Sequence, residues 1–448
     1  MSAAAFLQKL AGYGEKIVLV DNEAACSAAA LAQKSETLRA QLAPSIKPGD
    51  VAAVIGDYSM GAVAALLALA KLKAIIVPIS TASAAQRAER LAIAAPQHVL
   101  SFEQGKLVYA AGKAVGEIHP LRQKLIERGH AGLVLFSSGS TGAAKAMLHD
   151  FDNMLGRYTG RQEKNHTLLA LLMFDHIGGL DLLLGGLAMG AKLVFTPSRD
   201  ANEVASVIAR QRVNVLPASP TFLNLLLLAE APQKHDLSCI QIIPYGTEPM
   251  PEPLLARLRE AFPAARLVQT FGTSETGVVK TKKSENLWLR FDDAAIEHKI
   301  VGGELWLRSR TQILGYLNAP MNSFDNEGWF HTGDLVEEGE NGALRIKGRA
   351  REVINVGGEK VLPAEVEAVL LSIPGVRDCV VFPAPNAITG QCVAAEIAAD
   401  SGAGEEIKKE IRKACLQKLE PWKVPAKITL VDSVDAGERF KKKRLGRA

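Results

Sequence analysis

Between residues 16 and about 270, short apolar runs alternate with helical patterns, and this alternation narrows the available architectures more than any other feature. KIVLV (16–20), VAAVIG (51–56), AIIVPI (74–79), TLLALLM (167–173), KLVFTP (192–197), VNVLPAS (213–219), IQIIPYG (240–246) and RLVQTFG (266–272) have the length and branched composition of buried strands. Residues 26–43, 201–211 and 251–262 carry helical patterns, the last opened by Pro251 and Pro253. Strands that alternate with helices pack as parallel sheets covered on both faces, so the expected class is α/β. Residues 60–100 and 177–230 each read helix–strand–helix, which is consistent with two related sub-sheets, though without a residue-level repeat.

The pattern changes after residue 285. GELWLRS (303–309) and ALRIKG (343–348) alternate apolar with polar residues, and turns fall at Asn341-Gly342 and Asn326-Glu327-Gly328, as in a small antiparallel β unit. Beyond Gly348-Arg349 the order is strand EVINV (352–356), helix PAEVEAVLLSI (363–373), strands DCVVFPA (378–384) and QCVAAEIA (391–398), helix 404–418 and strand AKITLVD (426–432). A chain of 448 residues exceeds one ordinary core. The expectation is a large N-terminal domain, 1–347, of parallel-rich sheets covered by helices plus the small β unit. A smaller α+β C-terminal domain, 348–448, would follow on a hinge.

Several classes are disfavoured. A net charge of +4 is too small to imply nucleic acid. Five cysteines without C-x-x-C spacing suggest a reducing compartment and no metal site built on thiols. The most apolar segments are 61–79, interrupted by Lys71 and Lys73, and 168–195, interrupted by Asp175, His176 and Asp181, so no membrane span is expected. The first residues lack a continuous apolar targeting core, and the expected location is cytoplasmic.

Chemistry enters at SSGSTGAAK (137–145), which follows the apolar run AGLVLF (131–136). Gly139 and Gly142 free the backbone to turn N–H groups toward one point, Ser138, Ser140 and Thr141 add neutral donors, and Lys145 adds charge. That combination suits a phosphate, although the Walker spacing is not matched. A polar surface turn has the same composition.

Other motifs follow in a fixed order: FDHIGGL (174–180), YGTEPMP (245–251), QTFGTSETG (269–277), GELWLRS with GYLN (315–318), GWFHTGDL (328–335) and GRAREVINVGGEKVLPAEVE (348–367). In this order they resemble the adenylate-forming superfamily of acyl- and aryl-CoA synthetases, amino-acid adenylation domains and luciferases. SSGSTGAAK is similar to that family's TSGSTGxPK loop, with Ala144 where proline is usual and Ala146 where glycine usually follows the lysine.

The resemblance implies that a carboxylate attacks the α-phosphate of ATP, giving an acyl-adenylate and pyrophosphate, and that a thiol then displaces AMP. It implies that Ser138, Gly139, Ser140, Thr141, Gly142 and Lys145 hold the β/γ-phosphates and that Glu275 associates with Mg²⁺. Ser274, beside Thr273, would contact the α-phosphate. Gly246, Thr247, Glu248, Phe271 and Gly272 would form the adenine slot, and Asp334 and Arg349 would lie at the ribose. His176 would stand where the carboxylate enters, against the alternative of a structural histidine. Asp175 raises the weaker reading of an amino-acid substrate whose ammonium it would hold. Arg351 falls at the hinge, where aspartate or lysine is usual, and Gly357 and Gly358 would flank the thiol channel after domain rotation.

Relatives end near PRTxxGKxxR, whose lysine reaches the reacting carboxylate. Here the end is VDAGERFKKKRLGRA, without that proline or threonine. Lys441 with Arg444 keeps the K-x-x-R spacing and is the catalytic candidate, with Lys442 and Lys443 as adjacent competitors. The expected activity is ATP-dependent ligation of a small carboxylic acid to CoA. Loading of a carrier-protein phosphopantetheine is the alternative within the family, and a non-catalytic nucleotide-binding protein is the alternative of another class.

Overall fold

The computed structural model describes residues 2–80, 83–112, 117–137, 144–282, 287–400, 402, 404–437 and 440–444. Two sheets form the large N-terminal part. In the first, the order is Gly315–Tyr316, Ala146–Asp150, Gly132–Phe136, Ile75–Ile79, Val51–Ile55, His98–Glu103 and Lys106–Ala111. Its four central strands are parallel, and antiparallel strands close both edges. The helix Met60–Lys71 lies inside this assembly with every residue from Gly61 to Ala70 buried. That explains an apolar run with no membrane role; no helix among the described residues is long and apolar enough to cross a bilayer.

The second sheet runs Ala24–Ser27, Ile17–Asp21, Lys192–Phe195 and Thr167–Ala170. It continues through single bridges at Val215 to the parallel pair Ile242–Tyr245 and Arg266–Gln269. A full strand at 213–219 is therefore corrected to isolated bridges at Val215 and Ala218. Pro217 has no N–H to give a ladder, and Ser219 already caps the next helix, Pro220–Leu228. The expected antiparallel unit is present as Ile296–Val301, Glu304–Ser309, Phe330–Glu338 and Leu344–Arg349, in that order.

In the small C-terminal part, the sheet runs Glu359–Val361, Ile354–Val356, Gly390–Ala399 and Val376–Asn386, with Lys427–Val431 parallel to Gly390–Ala399. The helices Pro363–Leu370 and Glu405–Lys418 cover it through a core that includes Ile354, Val366, Leu370, Val381, Ile397, Ile411 and Cys415. All five cysteines are free, and Cys26, Cys379, Cys392 and Cys415 are buried.

The tail returns through this part along buried charges. The Arg444 guanidinium meets both carboxylate oxygens of Glu367 at 2.8 and 3.0 Å and reaches Glu352 at 3.0 Å. The Lys442 ammonium lies 3.0 Å from Asp378 and donates to the Cys379 carbonyl at 2.5 Å. Arg444 and Glu367 side chains are 8% and 3% exposed, so neither charge has water to fall back on. Removing one partner of such a pair strands the other, which costs about 3–5 kcal/mol.

Arg444→Ala should therefore lower stability by about that amount in denaturant titration. Burial works against the Glu367 carboxylate, but Arg444 and Lys442 overcome it and hold its pKa below the ordinary glutamate value. The pair's contribution is thus whole above the ordinary glutamate range and drains away as pH falls through the lowered value. An Arg444→Ala deficit that stayed constant down to acid pH would refute this account.

Candidate active site

The feet of the Gly/Ser/Thr loop are held shut. The Ser137 N–H donates to the Lys145 carbonyl at 3.0 Å, and the Lys145 N–H donates to Ser137 Oγ at 3.2 Å. The following strand, Ala146–Asp150, pairs antiparallel with Gly132–Phe136, so the loop is the connection of a hairpin. Ser138, Gly139, Ser140, Thr141 and Gly142 themselves lie outside the described residues.

GYLN buttresses the loop from the far side. Asn318 accepts from the Ala146 N–H and donates to the Ala144 carbonyl, both at 2.8 Å. The Tyr316 hydroxyl donates to Glu275 Oε1 at 3.2 Å, and the Lys145 ammonium sits 5.1 Å from the centre of the Tyr316 ring.

Glu275 stands at the tip of the hairpin formed by Phe271–Thr273 and Gly277–Val279. The Thr273 hydroxyl accepts from the Thr276 N–H at 3.1 Å, and the Glu275 carbonyl accepts from the Ile313 N–H at 2.8 Å, so the tip has a fixed path. Burial pushes the Glu275 carboxyl pKa up, while Tyr316, Arg349 and Lys145 oppose that rise. Burial pushes the His149 imidazole down to about 4, and neither of its ring nitrogens has a hydrogen-bond partner. His149 is thus a neutral packing group beneath the site.

At Gly246 a Cβ would meet the carbonyl and hydroxyl oxygens of Thr270 at 2.7 Å, so only glycine permits this approach of the two segments. Thr247 beside it is exposed and has a φ of 75°, a left-handed backbone uncommon for a β-branched residue. Gly272 is exposed and Phe271 half-buried, its ring 5.6 Å from that of Phe291. Glu248 is already engaged: Oε1 accepts from the Thr221 N–H at 2.9 Å and from the Thr221 hydroxyl, and Oε2 faces the Lys442 N–H at 3.5 Å. Its carboxylate pins the start of helix Pro220–Leu228.

Asp334 and Arg349 are direct partners across Phe330–Glu338 and Leu344–Arg349, with Arg349 Nε 2.8 Å from Asp334 Oδ1. Burial pushes the Asp334 carboxyl up, and Arg349, Lys441 and Arg351 pull it back. Lys441 therefore lies within electrostatic reach of Asp334. Its neighbours point elsewhere, Lys442 to Asp378 and Lys443 to an exposed pair with Asp435 at 3.3 Å. Arg351 occupies the short helical turn Ala350–Glu352 between the last strand of the antiparallel unit and the first strand of the small sheet.

Two further candidates have structural work to do. His176 caps helix Ile177–Ala188, its Nδ1 accepting from the Gly178 N–H at 3.2 Å. Asp175 is buried with its Oδ2 paired to Arg90 at 2.5 Å and accepting from the Ser80 N–H at 3.2 Å, so its charge is already balanced, while its Oδ1 has no hydrogen-bond partner. Gly357 and Gly358 form the turn between Ile354–Val356 and Glu359–Val361, with φ of +61° and +101°. A plain turn requirement explains those two glycines without a ligand.

A family model described as AMP-binding enzyme matches residues 6–317, and a second, described as AMP-binding enzyme C-terminal domain, matches residues 365–441. The chain belongs to the AMP-binding enzyme family. A probable CoA ligase of Humulus lupulus is 30% identical over 67% of this AMP-binding chain, which spans 60% of that relative's own length. An anthranilate CoA ligase solved with anthranoyl-AMP superposes with a TM-score of 0.83 at 20% identity, over 99% of this chain and 96% of that one, and so shares the fold. The o-succinylbenzoate coenzyme A synthetase of Bacillus subtilis, solved with AMP, gives 0.77 at 25% identity, over 99% and 98%.

Tyr316 and Asn318 escaped single assignment by sequence because their partners lie far along the chain. GYLN was recognisable as a motif, but nothing local tells that its tyrosine meets Glu275. Tyr316→Phe should raise the pH at which Glu275 takes up its proton, since a hydrogen bond to the charged form is lost. Carbon-13 titration of that carboxyl reads it directly, and an unmoved titration would show that the hydroxyl does not act on Glu275.

Proposed function

We propose that the chain is an ATP- and Mg²⁺-dependent acid–thiol ligase that forms an acyl-adenylate and passes the acyl group to CoA. The observation that supports the reading is the tail, where Lys441 is among the charges that hold down the Asp334 pKa, while the Lys442 and Lys443 ammonium groups pair with Asp378 and Asp435. In the first step a carboxylate oxygen attacks the α-phosphorus and pyrophosphate leaves. Lys441 bears on the incoming carboxylate and α-phosphate, and Lys145 with the loop hydroxyls bears on the leaving phosphates. Asp334 and Arg349 take the ribose, and Gly246, Thr247, Phe271 and Gly272 face the adenine. Ser274 lies toward the α-phosphate.

The donor set suits Mg²⁺ only when ATP is present. No cluster of three or more acidic, histidine or cysteine side chains occurs among the described residues, and Glu275 offers a single carboxylate with Lys145 nearby. A hard cation that keeps water and phosphate oxygens fits such a site. When bound, the ion would neutralise charge on the triphosphate.

For the second step, rotation about Arg351 would exchange Lys441 for the Gly357-Gly358 turn beside the thiol. CoA is the preferred acceptor because relatives carry CoA ligase names. A carrier-protein phosphopantetheine presents the same thiol. The substrate is a small carboxylic acid, with His176 at its entry. The Arg90 to Asp175 pair argues against an amino acid.

Pyrophosphate release with a panel of carboxylic acids tests the reading, followed by addition of CoA or a loaded carrier. ATP binding without turnover on any acid would instead favour a nucleotide-binding protein. Lys441→Ala should cut adenylate formation by about 10²–10³-fold, as for loss of one charge-stabilising donor. Thioester formation from synthetic acyl-AMP should be nearly spared, and Lys443→Ala should be neutral; a larger defect at Lys443 would move the catalytic role along the tail. Glu275→Gln should nearly abolish pyrophosphate release in a protein with an unchanged melting curve, and normal release would remove Glu275 from the metal.

A further inference from the structure

We propose that Phe440 is a positioning residue: its ring anchors the tail of the small domain in the core of the large one and so holds Lys441 at the nucleotide. The inference rests on the ligase reading. Phe440 has a φ of +48°, the left-handed region that bulky residues rarely occupy. A backbone that glycine would adopt freely is here imposed on an aromatic residue, so the ring must gain more than the backbone loses.

The gain is visible across the domain boundary. The Phe440 ring packs edge-on against Phe222 at 4.8 Å and 62°. Phe222 is fully buried, and Phe440 packs against the core cluster that also holds Leu223, Tyr245 and Met250. The Ser219 hydroxyl donates to the Phe440 carbonyl at 2.8 Å while accepting from the Phe222 N–H at 3.1 Å. One serine thus ties the tail to the first turn of the helix that receives its ring.

Lys441 follows directly, its N–H bonded to the Ala436 carbonyl at 2.8 Å in a tight return of the chain. The next residue, Lys442, is buried in the small domain against Asp378. The chain on either side of Lys441 is therefore gripped by both domains: the large one holds the Phe440 ring and carbonyl and meets the Lys442 N–H through Glu248 at 3.5 Å, while the small one holds the Lys442 ammonium. That double grip aims the lysine. It also means that rotation to the thiol-transfer arrangement has to withdraw an aromatic ring from the large domain, so the anchor favours the first half-reaction and opposes the passage to the second.

Phe440→Gly separates the two contributions, because it removes the ring and at the same time relieves the left-handed backbone, leaving folding intact. Adenylate formation, read as pyrophosphate release, should fall at least tenfold, while thioester formation from synthetic acyl-AMP should be unchanged or faster. Phe440→Tyr should retain near-normal adenylation. In a Lys441→Ala background Phe440→Gly should add nothing, since its effect passes through the lysine. Backbone hydrogen exchange over residues 440–444 should quicken about tenfold in Phe440→Gly. Unchanged exchange, an equal loss of both half-reactions, or a further loss in the Lys441→Ala background would each overturn the anchor. Absence of pyrophosphate release from the wild type with every acid would instead bring down the ligase reading, and the exchange measurement alone would then decide the anchor.

Discussion

The position of the tail depends on one buried ion pair, Arg444 with Glu367. A guanidinium that meets both oxygens of a carboxylate is fixed in direction as well as place, because its donors form a rigid fork. Glu367 is itself locked by the Val381 N–H at 3.0 Å and sits on helix Pro363–Leu370. From that point the chain can reach back to Phe440 in only four residues. The pair therefore fixes how far into the large domain the tail extends. Lys442 against Asp378 adds a second fixed point one residue past Lys441. A basic cluster that reads in sequence as a solvated end is thereby divided into one buried strut, one exposed pair and one group whose charge is felt at Asp334.

The electrostatics around Asp334 and Glu275 follow from desolvation that opposite charges only partly offset. Asp334 and Glu275 are carboxylates whose pKa values burial raises, and each has Arg349 among the groups that oppose the rise. One arginine thus acts on two acids from a strand that ends at the junction of the domains. Charges held in such surroundings act strongly on a bound phosphate chain, because little water competes with them. The hairpin tip at Glu275, the Asn318 clamp and the closed feet of the loop fix these groups through backbone hydrogen bonds rather than through long flexible side chains.

Local pattern made most of the architecture legible. Runs such as VAAVIG and AIIVPI are strands because both faces are covered, and their near-continuous apolar character reports that directly. The helix at 201–211 was readable to the residue because Asp200 caps it and its apolar face repeats. VNVLPAS misled because its composition is that of a strand while Pro217 interrupts the ladder. The site was legible as a series of motifs but not as a set of partners. Tyr316 meets Glu275 across 41 positions, and Asn318 reaches Ala146 across 172, distances at which spacing carries no information. The three tail lysines are alike in type, and only Asp378 and Asp435 distinguish two of them. Glu248 and His176 are motif residues whose visible tasks are to hold helix starts, which a motif alone cannot reveal.

The cysteines have a consequence for chemical self-protection. A site that makes an acyl-adenylate holds a reagent able to acylate any thiolate within reach, and the thiolate, rather than the thiol, is the nucleophile. Burial raises the pKa of Cys26, Cys239 and Cys379, and raises that of Cys415 to about 11. These sulfurs are kept protonated at neutral pH, and Cys26, Cys379 and Cys415 are also sealed inside the protein. In the proposed ligation, these four thiols would offer an incoming thiol little competition from within the protein.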